Sequence, residues 1–242
     1  MYQSIKNEIF HVHTWRCKHA ADDRDYEYVE KAIDLGAGRI VFTDHCPFPG
    51  DPFRSRMDMA QLEEYISTLS QLKAKYASRI ELVAGLETEY LPSYDNYYSE
   101  LKKTEGLDLL ILGQHMFEHD DGSLSFGDED KSVEYVGLCR AIVDGIKTGY
   151  FDVVAHPDRS FRRCKTWTAD MERAGLEIIR EAQKNNVLLE RNFSSMKHKK
   201  HYWKQFWSEE TLEISIYGYD AHSVEEMEAF WKKKKESEVP KK

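Results

Sequence analysis

The chain is short of the features that would take it out of ordinary globular chemistry. No apolar run approaches the roughly 20 residues needed to cross a bilayer. The opening Met1-Tyr-Gln-Ser-Ile-Lys has no apolar signal core, so the expectation is a cytoplasmic protein without a membrane partner. Only four cysteines occur in 242 residues, Cys17, Cys46, Cys139 and Cys164, and they show no paired spacing. That suits a reducing compartment better than a disulfide framework. No Gly/Ser/Pro-rich linker interrupts the chain, and α/β barrels of this length commonly form one domain. The expected organisation is therefore a single barrel domain over 1–235 with a polar tail at 236–242. A basic excess is also missing: 34 Lys and Arg stand against 43 Asp and Glu, a net charge of −9, with a pI near 5.6. Nucleic-acid binding would call for a basic footprint, so none is expected, and bound metal cations would offset part of the negative charge. The lysines at 232–235 and 241–242 read as a solvated helix end and tail.

What the chain does have is a repeated pattern of strand-like runs ending in histidine or acidic residues. His11-Val12-His13 closes the apolar run Ile9-Phe10, and in an extended strand residues two apart project to one face, so both imidazoles can point at one spot. A single pair of this kind is more often structural than ligating. Repetition changes the reading. The run 39–43 leads into Asp44 and His45, and 80–84 leads to Glu87. The run 107–112 is followed by His115, 151–155 by His156, 187–190 by Asn192, and 212–216 by Asp220 and His222. Between and after these runs lie segments with helical spacing at 25–35, 59–76, 94–104, 132–147, 169–185, 201–211 and 224–235. Strands alternating with helices predict crossover units and a parallel sheet. Every ligand-type ending then falls at the carboxyl-terminal side, where barrel chemistry sits. Only closure brings the ends of the first and seventh strands near each other. The predicted fold is a distorted (β/α)7 barrel, with an open doubly wound sheet as the alternative.

The set His11-x-His13, His19, Thr43-Asp44-His45, Glu87, His115, His156 and Asp220-Ala221-His222 resembles the metal-binding motif series of the polymerase and histidinol phosphatase (PHP) family, in order and approximate spacing from residue 11 to residue 222. Within it, Asp44-His45-Cys46-Pro47, Ala155-His156-Pro157-Asp158 and Asp220-Ala221-His222-Ser223 are most similar to the histidinol-phosphatase-like members. The resemblance implies a metal-dependent phosphomonoesterase on a distorted (β/α)7 barrel with three divalent metals, zinc, iron or manganese, among which these ligand types do not select. It implies that His11, His13, Glu87 and Asp220 hold the first metal, that Glu87 bridges to a second completed by His115 and His156, and that His19, His45 and His222 hold the third. It assigns the catalytic roles to Glu87, Asp220 and His222. A metal-bridging hydroxide would attack the phosphorus in line. The alternatives within the resemblance are another small phosphomonoester, phosphotyrosine, a nucleotide diester, or a catalytically silent metal-binding module.

A small-molecule phosphomonoester also wants fixed cations, and guanidinium matches phosphate bidentately. The candidates are Arg159, Arg162 and Arg163 after the fifth strand, Arg54 and Arg56 after the second, and Arg191 and Lys197 at and after the sixth, with the neutral amide of Asn192 as a further substrate contact. Arg159 leads because it lies nearest a ligand in sequence. Cys17 and Cys46 read as small buried hydrophobes, with ligation of a soft metal as the lesser alternative. His119 and the acidic run 118–121 read equally well as an aid to proton transfer or as a solvated loop. Three departures from the family pattern bear on the leaving alcohol: Gln114 before His115, Tyr219 before Asp220, and Asn192-Phe193-Ser194-Ser195-Met196 with no glycine.

Overall fold

The computed structural model of the chain describes residues 2–53, 55–125, 129–193, 195 and 201–238. Strands and helices alternate: β1 (Glu8–Val12), α1 (Asp25–Asp34), β2 (Arg39–His45), α2 (Leu62–Tyr76), β3 (Glu81–Thr88), α3 (Asp95–Leu101), β4 (Leu109–Leu112), α4 (Tyr135–Thr148), β5 (Val153–Val154), α5 (Ala169–Asn185), β6 (Leu188–Asn192), α6 (His201–Phe206), α7 (Glu209–Glu213), β7 (Ser215–Gly218) and α8 (Val224–Glu238). The strands form one sheet in the order β1 to β7, and β1–β2, β4–β5 and β5–β6 pair in parallel. Beyond β7 the chain returns to β1. The Tyr219 N–H donates to the Phe10 carbonyl at 2.9 Å, Ala221 N–H to that of His11 at 3.2 Å, and His13 N–H to that of Ala221 at 2.9 Å. This return pairing makes the fold the expected (β/α)7 barrel and excludes an open sheet.

The elements follow from local chemistry. Strand β4 is the unbroken apolar run Leu-Leu-Ile-Leu, buried throughout, as a strand covered on both faces requires. Helix α5 begins where the Thr168 hydroxyl accepts from the Met171 N–H and ends at Asn186 in the left-handed conformation, an amino-terminal cap and a carboxyl-terminal cap of the usual kinds. Two expectations are corrected by capping. The stretch 201–211 is two helices, because Ser208 accepts from the Thr211 N–H and starts α7 afresh. Leu212 consequently belongs to α7, and the last strand begins only at Ser215. The lysines of the last helix are not all solvated: Lys234 is 5% exposed and its Nζ donates to the carbonyls of Lys6 and Glu8 at 3.0 and 3.2 Å.

The chain divides into two compact units. A terminal unit comprises Gln3–Leu86, Glu105–Leu109 and Gly218–Lys242, and a central unit comprises Met1–Tyr2, Glu87–Thr104 and Leu110–Tyr217. In the terminal unit α1 packs against α8 over a core that includes Ile9, Phe10, Val29, Phe42 and Met227. In the central unit α4 packs against α5 over Leu112, Ile146, Val154, Ile178 and Leu189. Among the described residues no helix is long and apolar enough to cross a membrane.

Candidate metal centre

In the terminal unit, the first ligand pair is built by a break in the strand rather than by its regularity. The β1–β2 register shifts between Phe10 and Val12, and His11 lies at φ 72°, in the left-handed region. It is a bulge residue, so simple two-residue alternation is not what aims it. The two imidazoles nevertheless converge: His11 Nε2 is 2.9 Å from His13 Nε2, and Asp220 Oδ1 lies 3.5 and 3.1 Å from them. Two imidazole nitrogens and a carboxylate oxygen, buried together, repel unless a proton or a cation sits between them. Nitrogen and oxygen ligands bound to zinc at about 2.05 Å in tetrahedral geometry lie roughly 3.3 Å apart. The triangle has the size and chemistry of a divalent site.

Four more imidazole contacts surround this pair. The His13 ring stacks on His222 at 4.3 Å and lies 4.5 Å from His45. His19 packs 5.2 Å from His45 and 4.6 Å from His222. The donor atoms that converge are those of His13, His45 and His222, while His19 joins through its ring. The His222 Nδ1–H donates to the Asp220 carbonyl at 3.0 Å, which leaves the lone pair on Nε2. That Nε2 is buried with no hydrogen-bond partner among the described residues, as a ligand atom awaiting a cation would be. Burial, with His222 next to it, lowers the pKa of His19 and favours its neutral, ligating form. Cys46 donates its thiol hydrogen to the Pro47 carbonyl at 3.3 Å and is a packing residue.

The central unit carries a second donor set, Glu87, His115 and His156. His156 Nε2 is 2.8 Å from Glu87 Oε1. His115 Nδ1 is 2.9 Å from Glu89 Oε1, a carboxylate–histidine pairing that leaves His115 Nε2 for a metal. His156 sits at φ 33°, and its N–H donates to Glu190 Oε2 at 2.7 Å. Burial and then Arg159 push its pKa down. Gly113 makes room for Glu87: a Cβ there would lie 1.9 Å from Glu87 Oε1. Glu89, Glu190 and Gly113 were not singled out by sequence. The available signal was a carboxylate in an otherwise apolar, buried strand, since such a group needs a partner.

Beside His115 and His156 lies a cavity of about 210 Å³, also walled by Arg159, Arg162, Arg163 and Lys131 together with Leu138 and Ile142. Arg159 and Arg162 thus share a cavity wall with His115 and His156. Arg56 is buried, with its guanidinium 5.0 Å from the Phe53 ring. Asn192 ends β6 and is fully buried. Arg191 donates to the Tyr217 hydroxyl at 3.2 Å and packs on that ring. His119 is exposed and edges Phe117 at 4.8 Å. Arg54, Ser194, Met196 and Lys197 lie outside the described residues.

A profile of the PHP domain matches residues 10–194. The chain belongs to the PHP domain family. Among curated proteins it is similar to the histidinol-phosphatase of Bacillus subtilis (strain 168), 33% identical over 141 residues, which are 54% of this chain and 53% of that protein. It is also similar to the probable histidinol-phosphatase of Deinococcus radiodurans, 30% identical over 160 residues, 61% of this chain and 59% of that one. The chain thus spans between half and two thirds of the length of the curated relatives it matches. Its fold is similar to that of the histidinol phosphate phosphatase of Lactococcus lactis subsp. lactis Il1403 solved with zinc, L-histidinol and phosphate, with a TM-score of 0.68 at 20% identity, covering 96% of this chain and 94% of that one.

Proposed function

We propose that this PHP protein is a metal-dependent phosphomonoester hydrolase whose substrate is L-histidinol phosphate. The observation that carries the reading is the buried convergence of His11 Nε2, His13 Nε2 and Asp220 Oδ1, a donor set whose chemistry suits a divalent cation. Family membership and the names of the curated relatives support the phosphatase assignment. Following the family pattern, His11, His13, Glu87 and Asp220 would hold one divalent cation, Glu87, His115 and His156 a second, and His19, His45 and His222 a third, as zinc, iron or manganese. Bound there, the cations supply Lewis acidity toward the phosphoryl oxygens and acidify the attacking water. Arg159 and Arg162, on the cavity wall, orient the phosphoryl group through paired guanidinium hydrogen bonds. Neutral His156 keeps a lone pair available at neutral pH because burial depresses its pKa.

The test is phosphate release from a panel of L-histidinol phosphate, sugar phosphates, phosphotyrosine, nucleotides and a diester. Selective turnover of L-histidinol phosphate is expected, abolished by a chelator and restored by a divalent metal. Glu87→Gln is expected to lose turnover and metal together, because a neutral amide bridges cations poorly. Activity indifferent to metal removal, or full activity of Glu87→Gln with unchanged metal content, refutes the assignment.

A further inference from the structure

The imidazole of His13 has a second nitrogen, and its surroundings are unusually built. Directly after β1 the chain makes a 3-10 turn, Trp15–Cys17, closed by the Cys17 N–H donating to the Thr14 carbonyl at 3.1 Å. Asp44, fully buried at the end of β2, accepts from both the backbone N–H and the hydroxyl of Thr14. Arg16 ties the same turn down, donating to the Thr14 hydroxyl at 3.0 Å, to Asp25 at 2.7 and 2.9 Å and to Glu64 at 2.8 and 3.0 Å. Within this frame Cys17 Sγ stands 3.1 Å from Asp44 Oδ1 and 3.2 Å from His13 Nδ1. His13, Cys17 and Asp44 are all 0% exposed, so water does not intervene.

The direction of these hydrogen bonds follows from what each group can do. Asp44 already accepts both Thr14 hydrogens, and the thiol hydrogen of Cys17 goes to its Oδ1 as well. The sulfur is then left with lone pairs toward His13, placed to accept from an Nδ1–H at 3.2 Å. Nε2, on the opposite side of the ring, keeps its lone pair for His11 and Asp220, which lie on that side at 2.9 and 3.1 Å. Sulfur and the candidate metal position are therefore on opposite sides of one imidazole. The geometry argues against Cys17 as a ligand of the cation that His13 Nε2 would hold.

We propose that Cys17 is a positioning residue: its thiol relays the Asp44 carboxylate to His13, fixing the tautomer and the ring orientation of a metal ligand. Metal-bound histidines usually donate their other N–H to a carboxylate, carbonyl or water; here a thiol is interposed. The inference rests on the metal-ligand reading of His13 given above.

The test separates the two. Long-range proton–nitrogen correlation spectra of the unaltered protein, metal-free and zinc-loaded, are expected to show His13 in the Nδ1–H form. An Nε2–H His13 in the metal-free protein overturns the relay. In competition with a chelator, Cys17→Ala is expected to hold zinc about 10- to 100-fold more weakly, while Cys17→Ser, whose hydroxyl both donates and accepts, stays within a few-fold of the parent. Equal zinc affinity in Cys17→Ala, or a thiolate-to-cobalt charge-transfer band in the cobalt-loaded parent, refutes the proposal. If Cys17→Ala does not fold, the tautomer in the unaltered protein still decides. A parent that takes up no zinc contradicts the metal reading alone, because the metal-free tautomer tests the relay independently.

Discussion

Gly113→Ala is the substitution that tests the candidate centre most sharply, because the change is one methyl group and its target is the proposed ligand Glu87. Gly113 follows β4, and its N–H donates to the Thr88 carbonyl at 3.0 Å, which locks it beside the end of β3. A Cβ at this position would lie 1.9 Å from Glu87 Oε1, 2.5 Å from Glu87 Cδ and 2.6 Å from Glu87 Cγ. Ordinary contact begins near 3.4 Å, so the carboxylate oxygen has to retreat by about 1.5 Å, whereas a metal site tolerates displacements of only about 0.2 Å. The retreat also pulls Glu87 away from His156, 2.8 Å distant in the parent. Glu87 can swing, which keeps the stability cost in the ordinary overpacking range of about 1–3 kcal/mol. The functional cost is larger, since a misplacement of about 1 Å at a reacting centre already lowers rates roughly 100-fold. The expected outcome is a folded protein with a modestly lowered melting temperature, depleted metal after reconstitution and dialysis, and phosphate release down at least about 100-fold. Full metal content and parental turnover in Gly113→Ala would mean that Glu87 is not held where a ligand has to be.

Other perturbations probe separate parts of the molecule. Asp220→Asn removes one charged corner of the His11–His13–Asp220 triangle and should weaken zinc binding in chelator competition by more than about 100-fold, beyond the roughly 10- to 100-fold that loss of an outer partner costs; unchanged affinity would remove Asp220 from the ligand set. Arg16→Ala leaves the buried Asp25 carboxylate uncompensated and should cost about 3–5 kcal/mol in denaturant unfolding; a loss below about 1 kcal/mol would class the pair with surface ion pairs. In the metal-free protein the ring protons of His19 and His156 should titrate below the usual 6.5, since burial disfavours both imidazolium forms. The sign of the linkage follows: the unfolded chain takes up these protons first, so their contribution to stability is complete above pH 6.5 and declines as the pH falls from there through the folded pKa. Midpoints at or above 6.5 would contradict the burial argument.

The barrel was legible because its signals are long and periodic. The alternation of runs and helical segments placed all seven strands, and 169–185 coincides with α5. What misled was local capping chemistry. The apolar positions of 201–216 continue across the Ser208 cap, so periodicity alone read a helix and then a strand one turn too early. Most of the candidate ligand histidines could be picked out as well, because His13, His45, His115, His156 and His222 stand at or a few residues after a strand end. Their supports could not. Glu89, just after β3, and Glu190, in β6, look like ordinary carboxylates until burial shows that each holds a histidine, one by its ring and one by its backbone. Cys17 looks like a small hydrophobe until its sulfur is found between His13 and Asp44. A residue that acts through another leaves no spacing signature, since its partner is brought to it by the fold.

The positions where the backbone departs from regular geometry carry the same lesson. Among the described residues, six that are not glycine have positive φ. Lys18 and Asn186 close helices and Asp51 sits in a turn, where such conformations are common. The other three are His11, His156 and Asp220, each assigned to a metal. A left-handed residue with a side chain costs on the order of 1 kcal/mol or more, so each must be held. The Ala221 N–H grips the His11 carbonyl, and Glu190 grips the His156 N–H. A regular strand sends neighbouring side chains to opposite faces, which would limit each strand end to one inward ligand and leave its aim to the pleat. Turning one residue left-handed frees the side chain from that alternation. The sequence argument therefore selected His11 and His13 through a periodicity that the structure does not use: the bulge at His11 breaks the strand, and the two nitrogens meet because of the break.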